Sequence, residues 1–100
     1  MAKKALVLKQ ERRKGMVARF ARKRDLLKEK MSVTASPEDR IEAMKKMAKL
    51  PRNSNKTRLH NRCALTGRSR SFMGWFGLCR QQMRTLASEG KLPGVRKSSW

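Results

Sequence analysis

The stretch PRNSNKTRLHNRCALTGRSRSFMGWFG, residues 51–77, decides the architecture, because no helical or strand period is sustained along it. Arg, Asn, Ser and Gly dominate its composition, and arginines recur between small polar residues. Guanidinium groups suit bidentate contact with phosphate, and Asn and Ser add hydrogen bonds to backbone and sugar. The stretch therefore predicts a long irregular loop whose chemistry fits nucleic acid.

Helical spacing returns after this loop, over residues 78–89 (LCRQQMRTLASE). The predicted helix carries on one face Cys79, Met83, Leu86 and Ala87. Gly90 follows directly and is placed to cap the C-terminus of the helix, because glycine adopts the left-handed conformation that such a cap requires. A short amphipathic helix is therefore expected after the loop.

Basic residues also mark this C-terminal part. Arg80 and Arg84 lie one helical turn apart and would point together toward a phosphate. The tail, KLPGVRKSSW over residues 91–100, contains a Pro-Gly turn, a basic patch and a terminal Trp. Because the chain has only two Trp residues, Trp100 is predicted to anchor the tail by packing or stacking. The second half of the chain holds eleven basic residues and a single acid.

Two helices are predicted before the loop. Residues 3–30 contain twelve basic and three acidic side chains and a narrow apolar stripe, which is interrupted by Lys23 and Arg24. A kink or loosening is expected at Gly15. The second helix begins with SPED at residues 36–39, which supplies a hydroxyl cap, a first-turn Pro and two acids at the positive dipole end. This helix stops where the loop begins, and we interpret it as the packing partner of the first.

The overall charge identifies the class of partner. The chain has 100 residues, 27 Lys and Arg, 7 Asp and Glu, and a formal net charge of +20. A free globule of this size would repel itself, whereas a polyanion would neutralise the charge and release counterions. Five aromatic residues, no Tyr and seven Met supply only a fragmentary core. We therefore predict one small unit, mainly α with long irregular loops and little or no strand, that orders against nucleic acid.

The three aromatic residues inside the Arg-rich loop allow two interpretations. Phe72, Trp75 and Phe76 stand beside arginines, and aromatic side chains in such a setting stack on unpaired bases. The same residues could instead form a small core under the loop. The sequence leaves both interpretations open.

Enzymatic chemistry has no support in the sequence. The single His, His60, lies in a basic loop with no acid nearby to orient it, so a general base or a catalytic triad is not expected. The segment TGRSR has one Gly and lacks the Lys-Ser/Thr context of a phosphate-binding loop. We predict a non-catalytic protein in which His60 makes a polar contact to RNA or backbone.

The two cysteines are spaced like half of a zinc site. Cys63-Ala64-Leu65-Thr66 and Cys79-Arg80-Gln81-Gln82 have the two-residue gaps of a zinc knuckle, but only the first member of each pair is Cys. Two thiolates with Thr and Gln cannot hold zinc at useful affinity, although His60 could in principle assist as a further ligand. We therefore predict no metal and no cofactor. Two cysteines are also too few for a disulfide scaffold, so a reducing compartment is expected.

Three alternatives from other classes remain. A redox or zinc-dependent binding module would require metal or a paired thiol. A cationic membrane-surface peptide would require a sustained apolar face, which the interruption in the first helix and the loop-rich second half argue against. A sequence-specific DNA binder is compatible with the charge, but no recognition-helix signature is present. No apolar run approaches the length of a secretory signal or a membrane span.

The runs LPRNSNKTRLHNRCALTGRSRSF and FGLCRQQMRTLASEGKLPGVRKSSW strongly resemble the protein-fourteen family of the small ribosomal subunit. The resemblance extends from the MAKK opening to the terminal Ser-Trp and is dense from Leu50 onward. Length, Thr66 and Gln82 match the longer, zinc-less form of this family, found in bacteria and organelles. Cys79 departs from that form's usual Ser, and Ser69 stands where Pro is common. Neither difference touches the Arg pattern.

This resemblance implies an extended, RNA-wrapped structural protein of the subunit head with a degenerate zinc-knuckle-like C-terminal half. The implied partners are the three-prime major domain of the ribosomal RNA and small-subunit proteins three, ten and nineteen, without a membrane. The implied location is the ribosome of the bacterial cytoplasm, the mitochondrial matrix or the plastid stroma. Residues 1–50 would be a basic extension of two helices and residues 51–100 the RNA-binding core, together one functional unit. The residues predicted to contact RNA by matching position are Arg52, Asn53, Arg58, Arg62, Arg68, Arg70, Arg80, Arg84, Lys97 and Ser98.

Overall fold

The computed structural model of the chain describes residues 1–99, so the predicted role of Trp100 lies outside the described residues. Helices account for most of the ordered structure, and the only strands in the described part form one two-residue pair, which confirms the mainly α prediction. In chain order the elements are α1 (Lys4–Lys30), α2 (Pro37–Ala48), two 3-10 turns (Arg52–Ser54 and Lys56–Arg58), β1 (Phe72–Met73), β2 (Leu78–Cys79) and α3 (Arg80–Ser88).

Helix α1 runs without a break through Gly15, so the predicted loosening there is wrong. A glycine inside a helix costs only about 1 kcal/mol relative to Ala. The surrounding residues, KQERRKGMVARFARK over 9–23, are mostly good helix formers that offset this cost. No neighbouring atom lies within 4 Å of the position that a Gly15 side chain would take, so this glycine serves no close approach.

The interruption of the apolar stripe on α1 has a structural cause. Arg24 Nε donates a hydrogen bond to Ser54 Oγ at 3.0 Å, and its Nη1 lies 3.6 Å from Met47 Sδ. Ser54 is only 1% exposed and donates its own hydroxyl proton to the Pro51 carbonyl. Arg24 therefore ties α1 to α2 and to the first 3-10 turn. Sequence alone shows a charge in the stripe but not this distant partner.

Helix α2 begins as the sequence predicts. The Ser36 hydroxyl oxygen accepts a hydrogen bond from the backbone N–H of Asp39 at 3.3 Å, and the hydroxyl donates to the Asp39 carboxylate at 2.7 Å. Pro37 occupies the first turn, where its missing N–H is not needed. Ala43 is 2% exposed and marks the buried face. The helix ends at Ala48, slightly before the predicted stop at the proline.

The chain forms two compact units, which are described separately. One consists of Leu8–Leu59 and contains α2, both 3-10 turns and nearly all of α1. The other joins Met1–Val7 to the chain from His60 onward. These two units are defined by which residues pack together. The predicted division after residue 50 is a division of function, based on composition and family resemblance, and it remains a prediction.

The second unit is held by a hairpin and the loop before it. In the antiparallel β1–β2 pair, Phe72 lies opposite Cys79 and Met73 opposite Leu78. The loop joins this pair through a hydrogen bond from Ala64 N–H to the Gly77 carbonyl at 3.1 Å. Because Leu78 and Cys79 form β2, helix α3 starts two residues later than predicted. The buried cluster is small: it consists of Cys63, Leu78 and Cys79, with Met83 and Leu86 packed against it.

The end of α3 follows the glycine-capped pattern that the sequence predicts. Gly90 has φ +72° and donates its N–H to the Ala87 carbonyl at 3.1 Å. Lys91 N–H donates to the Leu86 carbonyl at 3.0 Å, which completes the hydrogen-bond pair of a Schellman motif. Gly94, with φ +74°, makes a second reversal just beyond it. The tail therefore turns away from the axis of α3 at a fixed point.

Gly67 is the only glycine in the described part of the chain whose Cβ position has neighbouring atoms within 4 Å. With φ +71°, it adopts a conformation that other residues avoid. A Cβ at this position would lie 2.8 Å from Val7 Cγ2 and 3.4 Å from Ala2 Cβ. Ala2 N–H also donates to the neighbouring Thr66 carbonyl at 3.1 Å. The first residues of the chain are thus packed directly against the loop that follows Cys63.

Replacing Gly67 with Ala should destabilise this unit more than the same change at Gly94. Both positions have positive φ, which costs about 1–2 kcal/mol for Ala. Only at Gly67 does the new methyl group meet Val7, which adds about 1 kcal/mol or more of overpacking. Urea unfolding followed by circular dichroism measures both costs. Val7→Ala should recover part of the Gly67→Ala loss, and equal losses for the two glycine variants would contradict the close approach.

Candidate nucleic-acid interface

Most of the side chains predicted to contact RNA face solvent. Three of the ten are half-buried and take part in local structure, namely Asn53, Arg58 and Arg62. The seven exposed residues are Arg52, Arg68, Arg70, Arg80, Arg84, Lys97 and Ser98. The first three positions in chain order, Arg52, Asn53 and Arg58, belong to the unit Leu8–Leu59, and the rest belong to the other unit.

The two 3-10 turns position the first group of predicted contacts. Asn55 caps the second turn by accepting a hydrogen bond from Thr57 N–H at 3.2 Å. Arg58 Nη1 donates to Asn53 Oδ1 at 3.4 Å, so these two predicted contacts are partners of each other. A guanidinium has five N–H donors, and this bond uses one of them. Arg58 therefore keeps donors for a ligand while its direction is fixed.

Arg62 also has a structural partner. Its Nη1 donates to the Gly67 carbonyl at 2.9 Å, which braces the loop between Cys63 and Arg68 from within. Arg62 Nε is buried and makes no hydrogen bond within the described residues. The sequence marks Arg62 only as a candidate phosphate ligand, and the backbone contact adds a second role that no local pattern signals.

The exposed arginines near the hairpin are carried by a fixed backbone. The Arg68 carbonyl accepts a hydrogen bond from Cys63 N–H at 2.8 Å, and Arg80 N–H donates to the Ser71 carbonyl at 2.9 Å. Ser71 has φ +56°, an uncommon conformation for a residue with a side chain. Rigid backbone with solvent-exposed guanidinium groups reduces the entropy lost when an anion binds.

The three loop aromatics differ in exposure. Phe72 is half-buried in β1, Phe76 is 37% exposed, and Trp75 is 99% exposed. Hydrogen bonds from Phe76 and Gly77 N–H to the Met73 carbonyl, at 3.2 and 3.0 Å, hold the turn that carries Trp75. An indole ring held in solvent by an ordered turn is available to a partner. Trp75 contributes nothing to the small core of this unit.

A groove of about 550 Å³ lies between α3 and the tail. Its cationic side chains are Arg84, Arg96 and Lys97, and its apolar side chains include Met83 and Val95. Arg84, Lys97 and the groove residue Ser98 were singled out from the sequence, whereas Arg96 and Val95 were missed and Met83 was predicted only as part of the apolar helix face. The signal that could have found them is the pair of turns at Gly90 and Pro93-Gly94, which returns the tail toward α3.

Thr66 lies between the two cysteines, both of which are free and buried, at 3% and 2% exposure. Its Oγ1 is 3.8 Å from Cys79 Sγ. Burial alone would raise the pKa of the Cys63 thiol. A hydrogen bond from the Thr66 side chain, together with backbone hydrogen bonds of which that of Cys79 is the largest, outweighs the effect of burial. The result is a pKa lowered to about 6. The hydrogen bonds therefore favour the thiolate form of Cys63 relative to an ordinary thiol.

Neither a metal centre nor a membrane span is apparent in the part of the chain that is described. Within residues 1–99, no group of three or more His, Cys, Asp or Glu side chains is placed to hold a metal ion. None of the helices there is both long and apolar enough to cross a membrane.

Exposed cations on a fixed, mostly helical backbone define a class of small basic proteins that bind a polyanion. The family profile described as ribosomal protein S14p/S29e matches residues 46–99. Over 100% of both chains, the sequence is 49% identical to "Small ribosomal subunit protein uS14" of Picosynechococcus sp. and 47% identical to the protein of the same name from Synechocystis sp.. It is 44% identical, again over 100% of both chains, to "Small ribosomal subunit protein uS14c" of Tetradesmus obliquus.

The chain belongs to the ribosomal protein S14p/S29e family. The matched residues, 46–99, include all ten side chains predicted to contact RNA. The family resemblance inferred from the sequence is confirmed.

The pKa of Cys63 should rise when the Thr66 hydroxyl is removed. In a Cys79→Ser background Cys63 is the one remaining thiol, and the ultraviolet absorbance of its thiolate should appear at a midpoint near pH 6. Thr66→Val should move this midpoint toward the ordinary value of 9.0, because a hydrogen bond to the thiolate is lost. Cys63→Ser in the same background is the control and should show no transition. Equal midpoints with and without the hydroxyl would contradict this account.

The same shift predicts how stability depends on pH. The pKa of Cys63 is lower in the folded chain than the unperturbed value of 9.0, so ionisation favours the folded state. This contribution is fully present above pH 9.0 and is lost as the pH falls through about 6. The urea concentration at the unfolding midpoint should therefore increase as the pH is raised from about 6 to 9.0. This increase should be steeper for the wild-type chain than for the Cys63→Ser variant.

Proposed function

We propose that this chain is a structural constituent of the small ribosomal subunit, where it binds and organises ribosomal RNA and supports translation without catalysing a reaction. The observation that carries this proposal is the full-length similarity to proteins named as small-subunit components, at 44–49% identity. The net charge of +20 and the exposed arginines supply the chemistry that such a role requires.

Phosphate neutralisation is the physical mechanism. Each Lys or Arg that contacts a phosphate releases condensed counterions, so binding is favoured entropically and weakens as salt rises. The exposed cations contact backbone phosphates where RNA helices crowd together, while Asn53 and Ser98 add hydrogen bonds to phosphate or sugar oxygens. These contacts position the chain on the RNA, and the chain in turn screens the repulsion between neighbouring RNA segments.

The two halves of the sequence contribute differently to this role. Residues 1–50 serve as a basic helical extension, and residues 51–100 serve as the RNA-binding core, in one functional unit. The family match over residues 46–99 supports this division, because it coincides with the second half. The direct hydrogen bond from Ala2 N–H to Thr66 supports the idea that both parts act together.

The partners proposed are the three-prime major domain of the RNA in the subunit head and the neighbouring small-subunit proteins three, ten and nineteen. Family resemblance supports these finer assignments. The relatives are bacterial and chloroplast proteins, so the ribosome of a bacterial cytoplasm or of a plastid is the location that they support. The family resemblance is also compatible with a ribosome in the mitochondrial matrix.

The segments 63–66 and 79–82 are proposed to be a zinc knuckle that has lost half of its ligands. Backbone hydrogen bonds from Cys79, Thr66 and Leu65 help to lower the pKa of the Cys63 thiol, and hydrogen bonds of this kind also surround metal-bound thiolates. In a zinc knuckle the metal ion joins the two cysteines. Here the Thr66 hydroxyl lies beside Cys79 Sγ and also forms a hydrogen bond to Cys63. The hydroxyl then supplies by hydrogen bonding the connection that a metal ion would supply by coordination.

Fractionation on a sucrose gradient tests the proposed function. A tagged copy expressed in its native host should migrate with the small subunit at moderate salt and be released by nuclease or high salt. Migration as a free protein, with no ribosomal RNA recovered, would overturn the proposal.

Replacing Arg62 and Arg68 together with Ala should weaken incorporation into small subunits. Two lost phosphate contacts should lower the salt slope of RNA binding by about 1–2. The matched control is Lys45→Ala with Lys49→Ala, which removes the same charge from exposed positions on and just after α2. Unchanged incorporation after the arginine replacements would exclude these two residues from the interface.

Trp75 should stack on an unpaired base. In a Trp100→Phe chain the remaining indole is Trp75, and its fluorescence should be quenched when ribosomal RNA binds. Trp75→Ala should weaken binding by about tenfold, because stacking contributes about 1–3 kcal/mol per base, while Trp75→Phe should retain most of the affinity. Leu65→Ala, at another exposed apolar residue, is the control. If the Trp75 fluorescence shifts to the blue only when other ribosomal proteins are present, the indole packs against protein and not against a base.

A further inference from the structure

We propose that the groove between α3 and the tail binds a single unpaired nucleotide of the RNA. This inference rests on the proposed function and adds the kind of RNA element that the groove accepts. Its volume of about 550 Å³ falls within the range of about 300–1,000 Å³ that is usual for small-ligand sites. All of its lining residues belong to the unit that contains α3, so the site does not depend on the other unit.

The groove is a consequence of how the chain leaves α3. The Schellman motif at Gly90 ends the helix, and the turn at Gly94 reverses the chain again. Val95 N–H donates to the Leu92 carbonyl at 3.4 Å and closes this turn. Residues after Val95 consequently line the same groove as the last two turns of α3.

The chemistry of the lining matches both parts of a nucleotide. Arg84, Arg96 and Lys97 are cationic and exposed, and no carboxylate lies among the described lining residues. Three cations without a counter-charge attract a phosphate. Met83, Ala87 and Val95 provide half-buried apolar surface between them. A phosphate alone would gain nothing from this apolar surface, whereas a base or sugar face packs against it.

An unpaired nucleotide suits the groove better than a duplex. The base of a paired nucleotide is stacked and hydrogen-bonded inside its helix, so its flat faces are covered and cannot pack against an apolar surface of the protein. Proteins recognise RNA most specifically at loops and bulges, where bases are splayed out and accessible. Contacts to a duplex backbone alone would leave the apolar lining of the groove unused.

Photo-cross-linking tests the position of the base. Small-subunit ribosomal RNA transcribed with 4-thiouridine, bound to the full chain and irradiated, reports which residues contact a base directly. We expect cross-links on Met83 or Val95, because both lie in the apolar part of the groove. Cross-links elsewhere on the chain with none on α3 or the tail would overturn the groove assignment.

Filling the groove tests the same idea without changing charge. Ala87→Leu should weaken RNA binding by about tenfold and remove the groove cross-link, because the larger side chain occupies the space for the base. Thr85→Leu is the matched control, since Thr85 is exposed on the same helix and does not line the groove. Equal affinity of the wild-type and Ala87→Leu chains would overturn the proposal.

A third variant separates this inference from the proposed function. Arg84→Gln removes a cation that both a nucleotide and a duplex backbone would use. If Arg84→Gln weakens binding while Ala87→Leu has no effect, the chain binds RNA but the groove contacts only phosphates, and the inference falls. If the wild-type chain does not bind ribosomal RNA at moderate salt, the proposed function falls as well.

Discussion

A large positive charge carried on very little core is the constraint on which the rest of this structure depends. The net charge is +20, while the buried apolar residues in the described part are Ala43, Cys63, Leu78 and Cys79. Burial of so few side chains provides little free energy to oppose the repulsion between cations. The chain therefore relies on helices, capped ends and backbone hydrogen bonds for its shape, and on a polyanion for its charge.

Backbone hydrogen bonds take the place of core packing around the candidate interface. Cys63 and Ala64 donate to Arg68 and Gly77, and Arg80 donates to Ser71, so the loop, the hairpin and α3 are joined directly. Each of these bonds fixes the backbone near an exposed guanidinium or near Trp75. The same arrangement explains why the loop can be irregular in sequence and still present its side chains in defined directions.

Features that depend on neighbouring residues were predictable from the sequence, and those that depend on distant ones were not. The cap at Ser36 and the turn at Gly90 each follow from a few consecutive residues, so their patterns were sufficient. Arg24 donates a hydrogen bond to Ser54, and Gly67 packs closely against Val7. The partners in each pair are far apart in the sequence, so no local sequence pattern predicts the contact. Among the site residues, composition indicated only a polyanion as partner, and the individual arginines were assigned by matching position in the family resemblance, whereas Arg96 required knowledge of where the tail returns.

The packing of the first residues against the loop at Gly67 has a consequence for the order in which the chain can fold during synthesis. Residues Leu8–Leu59 form a compact unit from one continuous segment, so they can associate while the remainder is still being made. Met1–Val7 emerge first, but their partners lie beyond His60. Closing that long connection costs chain entropy and must wait for the last part of the sequence. The earliest residues to leave the synthesising ribosome are thus among the last to be fixed.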